Sequence, residues 1–220
     1  MNIIICGSKR HESLNFDRLV DSFDTIVRHN MLLPNNNYGK RNSDDQVLNA
    51  HIYDYYIKQE PLNKWILRYH KEYGITKDHI ESFYKYILDI HKTHFVHYIN
   101  NNTGLMQNIL NNNNIDHKIT KQLSCGLASV AQYISQNIKP FLIGYSLELS
   151  DWKQQQYSAK SNLSTSHDSL SEIHLITRLH QANLIDATFC TIEDFRELTL
   201  NQSLLTATNS SLDILKGVYE

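Results

Sequence analysis

The opening of the chain narrows the choice of fold most. Residues 2–6 run Asn-Ile-Ile-Ile-Cys and stop at Gly7, an apolar segment that reads as a strand closed by glycine. A helical stretch is expected near residues 16–20, then a second strand over 24–29. A third is expected within 47–56, where Ala50, Ile52 and Tyr53 sit among strand formers. Strand, helix and strand in this order predict an α/β fold built on an open, mostly parallel sheet flanked by helices.

A chain of 220 residues can bury roughly 70% of the surface its unfolded form exposes, so one packed domain over residues 1–220 is expected. With 41% apolar and 20% charged residues and a formal charge of -2, the chain lacks a basic nucleic-acid footprint. No run approaches the roughly 18 apolar residues of a membrane span, and residues 1–2 lead straight into the strand instead of a signal peptide. These features predict a soluble, cytoplasmic protein. The three cysteines, Cys6, Cys125 and Cys190, are an odd number without C-x-x-C spacing, which suggests neither a disulfide framework nor a structural zinc site. His91, His94 and His97 stand at successive +3 steps, which drift by about 120° around a helix and do not converge on one ion. No metal is expected there.

From about residue 60 to 113 the pattern predicts helices. Pro61 suits a first turn, and Ile80, Phe83, Ile87, Ile90 and Phe95 recur near helical period. Asn102 or Thr103 caps a helix through 105–110, while asparagine runs at 35–37, 100–102 and 111–114 read as loops. Residues 126–136 form a helix with Leu127, Val130 and Ile134 on one side, and 140–144 a short strand ending in Gly144. The polar stretch 148–166, with Trp152 and Tyr157, is too long for an ordinary connection and reads as a lid. A helix follows His167 and Asp168, then a strand over 185–190 and one or two helices over 192–217.

In an open parallel sheet, ligands bind beyond the carboxyl ends of the strands. Gly7-Ser8-Lys9 follows the first strand, but it matches neither a dinucleotide fingerprint nor a P-loop, and a glycine there also serves simply to end the strand. Asn30 ends the second strand, where its amide suits a nucleotide or a turn before Pro34. Ser124-Cys125-Gly126 opens a helix whose N–H groups and dipole would face an anion; the alternative is a serine N-cap with a close-packed glycine. His167 precedes a helix that holds Glu172, and Ser169-x-x-Glu172 is also a capping-box pattern.

Three patterns together resemble the sialyltransferases, bacterial and vertebrate. The large motif is matched by Ile5-Cys6-Gly7, by the segment from Asp24 through Arg28, His29 and Asn30, and by Tyr38-Gly39-Lys40-Arg41. The small motif is matched by Ser124-Cys125-Gly126 and the strand through Gly144-Tyr145, and the last, His-x4-Glu, by His167 and Glu172. Matched segments cover residues 2–56 and 120–190. The chain departs in having Ser8-Lys9 where bacterial relatives carry Asn-Gly, and Cys125 where a hydroxyl residue is usual.

The resemblance implies a Rossmann-like sheet of the GT-A-variant sialyltransferase kind, here with a helical middle segment. It implies inverting, metal-independent transfer of sialic acid or a related acidic sugar from CMP to a glycan or lipid-linked saccharide, as in lipopolysaccharide biosynthesis. No cofactor is expected; the CMP-sugar is a substrate. His167 would be the base with Glu172 beside it, and Gly7, Ser8, Asn30, Ser124, Cys125, Gly126 and Tyr157 would bind donor, with Tyr145 the second choice of tyrosine. Such an enzyme would work in the cytoplasm, with room for peripheral contact at the inner face of the membrane. The same motifs suit a CMP-Kdo or other nonulosonate transferase, and a nucleotide-binding protein without turnover. A helical interaction module over 60–113 is a further alternative.

Overall fold

The computed structural model describes residues 1–7, 16–29, 34, 39–49, 62, 64–69, 78, 81–82, 85, 95–100, 103–145, 147, 168–190, 214 and 218. Among the described residues six strands make one sheet: β1 (Ile3–Cys6), β2 (Thr25–His29), β3 (Asp45–Asn49), β4 (Lys64–Tyr69), β5 (Phe95–Asn100) and β6 (Phe141–Ile143). Their order is β5-β4-β3-β2-β1-β6 and every pairing is parallel. The order reverses at β1, whose neighbours β2 and β6 are more than 100 residues apart in the chain. That is a topological switch point, where open α/β sheets bind ligands.

Helices cover both faces, so β1 alternates between two cores. Ile3 and Ile5 join Val27, Val47 and Leu142 beneath α2 (Thr103–Asn112), α3 (Cys125–Ser135) and α4 (Ser169–Gln181). Ile4 and Cys6 join Ile26 and Ile143 on the other face, against Leu19 and Val20 of α1 (Asp17–Asp21). Phe23, Phe141 and Phe189 close that second core, with ring centroids 5.1 Å and 5.8 Å from Phe141. A strand buried on both faces must be apolar throughout, which explains the unbroken Ile-Ile-Ile-Cys run.

The α/β class and the positions of β1, β2, β6 and the four helices match the sequence expectations. Four details differ. The middle segment, expected to be helical, carries β4 and β5, and its helical residues include 78, 81, 82 and 85 as well as α2. The apolar run Trp65-Ile66-Leu67 and the aromatic and β-branched residues of 95–99 are strand formers, and the pairing of β4 with β3 and of β5 with β4 overrides a 3–4-residue spacing that spans strand and helix alike. His97 therefore lies on a strand, and His91 and His94 lie outside the described residues. β3 begins at Asp45, ahead of the expected window. Residues 185–190 form a single bridge from Asp186 to Phe141 and then a 3-10 turn over Thr188–Cys190, not a strand.

The three long helices share one ending. Asn114, Asn137 and Asn183 take left-handed φ values of 55°, 59° and 60°, and the N–H of the next residue reaches back in each case: Ile115 to Leu110 O at 2.9 Å, Ile138 to Tyr133 O at 3.1 Å, Leu184 to Leu179 O at 3.0 Å. These are Schellman turns, with asparagine where glycine is commonest and an aliphatic residue folded back onto the core. The asparagine run at 111–114 is thus half helix and half cap.

Candidate functional site

Beyond the carboxyl ends of β1, β2 and β6 the chain brings several sequence-predicted residues together. Gly7 N–H donates to Ile143 O at 2.7 Å, and a side chain at Gly7 would run into the Gly144 carbonyl. Gly144 has φ +71°, which turns the chain sharply out of β6 and sets Tyr145 beside the switch point. Gly7 is therefore required by the close approach of the two strand ends.

Tyr145 packs against the start of α3. A Cβ at Gly126 would lie 2.5 Å from the Tyr145 hydroxyl and 2.8 Å from its ring, so only glycine leaves room for the phenol. The tyrosine is 9% exposed, and its buried hydroxyl has no hydrogen-bond partner among the described residues. Burial first, then the neighbouring Cys190, Cys6, Cys125 and Glu172, push its pKa well above the ordinary tyrosine value. It stays a neutral O–H donor. His29 stands edge-on to it at 6.5 Å between centroids, and His29 Nδ1–H donates to Cys6 O at 3.0 Å.

The N-terminus of α3 has its own donors apportioned. Ser124 Oγ accepts from Leu127 N–H at 3.4 Å, the N-cap expected of serine. Ser124 N–H donates to the buried carboxylate of Glu172, from the first turn of α4. In an ordinary capping box an acidic residue at the third helical position makes this bond; here Leu127 occupies that position and Glu172 supplies the carboxylate from another helix. The next N–H at the helix opening that bonds to nothing among the described residues is that of Gly126. The Gly126 N–H and the Tyr145 hydroxyl are adjacent donors, aided by the positive end of the dipole. Such a pair can hold an anionic oxygen.

α4 is capped by Asp168, whose carboxylate accepts from Ser171 N–H at 3.1 Å. The capping-box alternative for Ser169 and Glu172 is therefore not realised: Ser169 is inside the helix, and the carboxylate of Glu172 crosses to Ser124. Ser171 Oγ is hydrogen-bonded to His117 Nε2 at 3.0 Å. His117 comes from the loop joining α2 and α3, which Gln107 grips by donating to His117 O at 3.1 Å and accepting from Ile119 N–H at 3.0 Å. The sequence reading missed His117, because nothing local marks one histidine in a polar loop.

The residues around Arg28 and Gly39 also meet, but as a clasp. Arg28, fully buried, donates from Nη1 to Arg41 O at 3.0 Å and Ser43 Oγ at 3.1 Å. Asp21 accepts from Lys40 N–H at 2.9 Å and Arg41 N–H at 3.0 Å, while Gly39, at φ +83°, leaves no space for a side chain against Asp21 and Val20. This clasp fixes the connection between β2 and β3. Ser8, Asn30, Tyr157, His167 and the expected lid over 148–166 lie outside the described residues.

No protein-family model and no curated protein sequence matches the chain. Solved structures do. A mammalian sialyltransferase superposes with a TM-score of 0.57 at 15% identity, covering 84% of this chain and 67% of that one. The sialyltransferase CST-II, in complex with a trisaccharide acceptor and CMP, gives a TM-score of 0.52 at 15% identity over 83% of this chain and 78% of the other. The monofunctional α-2,3-sialyltransferase Cst-I from Campylobacter jejuni gives 0.50 at 16% identity, covering 98% of this chain and 92% of its own. The chain has the fold of these sialyltransferases, an open parallel α/β sheet of the GT-A-like kind.

Proposed function

We propose that this protein is a glycosyltransferase that moves sialic acid or a related acidic sugar from its CMP-activated form to a hydroxyl of a glycan or lipid-linked saccharide, with inversion. The observation that carries this reading is the pair of donors, Gly126 N–H and Tyr145 O–H, unpaired among the described residues at the switch point of a sialyltransferase fold.

The acceptor oxygen attacks C2 of the donor sugar as the bond from C2 to the phosphate oxygen breaks. The electron pair leaves with CMP, and the acceptor proton passes to the imidazole of His167. The transition state is oxocarbenium-like, so the site must stabilise a departing phosphate and a sugar carboxylate. Neutral donors fixed in place serve that end without needing a metal ion. Asn30, Ser8 and Tyr157 are proposed to complete the donor contacts, and residues 148–166 to exclude water. His167 directly precedes Asp168, the cap of α4, and Glu172 joins that helix to the donor end of α3. Such an enzyme would act on the cytoplasmic side, in assembly of a surface saccharide; among the described residues no helix is long and apolar enough to cross a membrane.

CMP release from CMP-sialic acid and from CMP-Kdo, each with and without acceptor, tests the reading and separates the two donors. His167→Ala is expected to cut transfer at least 100-fold while CMP binding changes less than about threefold. CMP binding with no donor ever consumed would make the protein a non-catalytic nucleotide binder.

A further inference from the structure

The Schellman turns that end α2, α3 and α4 meet around one cleft of about 530 Å3, within the range of small-molecule sites. It lies at the amino end of the sheet, where Lys139 and Pro140 enter β6. α3 runs from Ser124 at the donor end to this cleft, and its 11 residues put the two about 16 Å apart.

The lining decides what the cleft can hold. Its floor is aliphatic, formed by Leu105, Ile109, Ile134, Ile138 and Leu184, and five of its twelve lining residues are asparagines. Among the described residues neither a carboxylate nor an aromatic ring lines it, so none of them neutralises a cation or stacks on a base there. Three helix C-termini give it a negative potential that disfavours an anion. Lys139, the single cation among its described lining residues, has its ammonium on Asn183 Oδ1 at 2.6 Å. Asn113 Nδ2 donates to Ile109 O at 2.8 Å. The side-chain amides of Asn108, Asn112 and Asn137 make no hydrogen bond among the described residues. Each carries a donor and an acceptor side by side, the pattern that pairs with vicinal hydroxyls.

We propose that this cleft is a second saccharide-binding site, specific for uncharged oligosaccharides, whose C–H faces rest on the aliphatic floor and whose hydroxyls pair with the asparagine amides. It is separate from the donor end and goes beyond the transferase reading. In a transferase it would anchor part of a glycan away from the reacting hydroxyl.

Titration of the 15N-labelled protein with lactose and with maltotriose tests this, with the side-chain amide signals of Asn108, Asn112 and Asn137 as the readout. At least one sugar is expected to shift these signals saturably. Asn108→Ala/Asn112→Ala, on exposed helix positions where alanine is the better helix former, is expected to weaken that binding at least tenfold. Asn137→Gly keeps the left-handed turn while removing the amide, and is expected to weaken it several-fold. CMP titration, followed at Gly126 N–H, is expected to be unchanged in all variants. The proposal is overturned if neither sugar shifts the cleft amides, or if the double variant binds as the parent does. Loss of CMP binding in the parent would sink the transferase reading and leave the cleft result standing.

Discussion

A buried hydroxyl without a partner costs about 1–3 kcal/mol, and the Tyr145 hydroxyl has none among the described residues, beside a glycine that admits the ring. Packing alone would be served by phenylalanine. Tyr145→Phe is therefore expected to leave the unliganded protein as stable or up to ~2 kcal/mol more stable, while CMP affinity falls by about tenfold, one charge-assisted hydrogen bond. Paired urea unfolding and CMP titration check this. A variant that loses stability and keeps its CMP affinity would assign the hydroxyl a structural partner instead. Tyr145 was the second choice from sequence, because its value arises from Gly126, nineteen positions earlier, and from the turn at Gly144, neither of which a local pattern reveals.

At the scale of elements, the link from α4 to α3 decides how Glu172 acts. Its carboxylate holds Ser124 N–H, so it aligns the helix opening that would face the donor. Glu172→Gln keeps an acceptor oxygen and is expected to retain stability within about 1 kcal/mol and most transfer activity. Glu172→Ala leaves a half-buried N–H unpaired, with an expected loss of about 1–3 kcal/mol and a raised KM for the CMP-sugar. If Gln is as damaging to kcat as Ala with stability intact, Glu172 takes part in proton transfer. His117 makes the neighbouring link pH-dependent. Burial first, then Arg178 and His174, lower its pKa against the opposing Asp168 and Asp116. The unfolded chain thus protonates first on acidification, so this histidine's contribution is complete above about pH 6.5 and is lost as pH falls through the lowered folded value. Urea midpoints across roughly pH 5–8 should fall on acidification, and His117→Gln, which keeps a hydrogen bond to Ser171 without titrating there, should flatten that slope. An unchanged slope would place the dependence elsewhere.

Elements with a local signature were legible in the sequence: the doubly buried strands β1, β2 and β6, the serine-capped α3 and the helix after Asp168. β4 and β5 were not, since aromatic and aliphatic residues spaced every three or four positions fit either a helix or a strand, and only the pairing of β4 with β3 and of β5 with β4 selects between them. The Ser124–Glu172 bond spans 48 positions and replaces the capping box that Ser169-x-x-Glu172 offers within α4. Local rules found the starts of α3 and α4 and could not find their partners.

At the scale of the whole molecule, α3 is the axis that joins these parts. Eight of its eleven residues are buried, and Gly126, Ala128, Ser129 and Ala131 let it lie close on the sheet between donor end and cleft. Its position along the sheet is fixed near the far end by Tyr133, whose hydroxyl donates to the buried Asp45 at 2.5 Å while Lys64 Nζ stands 3.3 Å from the same carboxylate oxygen. Burial and that carboxylate keep Tyr133 protonated by raising its pKa. A hydrogen bond to a charged group of this kind contributes about 1.5–3 kcal/mol, and Tyr133→Phe is expected to cost that much in urea unfolding. Because the bond registers α3 on β3, its loss should also reach the donor end through the helix, weakening CMP binding two- to fivefold although Tyr133 lies two turns away. Asp45→Asn alone and with Tyr133→Phe completes the cycle, with an expected coupling of about 1–3 kcal/mol. Additive costs would dissolve the pair, and an intact CMP affinity in Tyr133→Phe would mean that Glu172 and Ser124 hold the helix opening in place without help from the sheet.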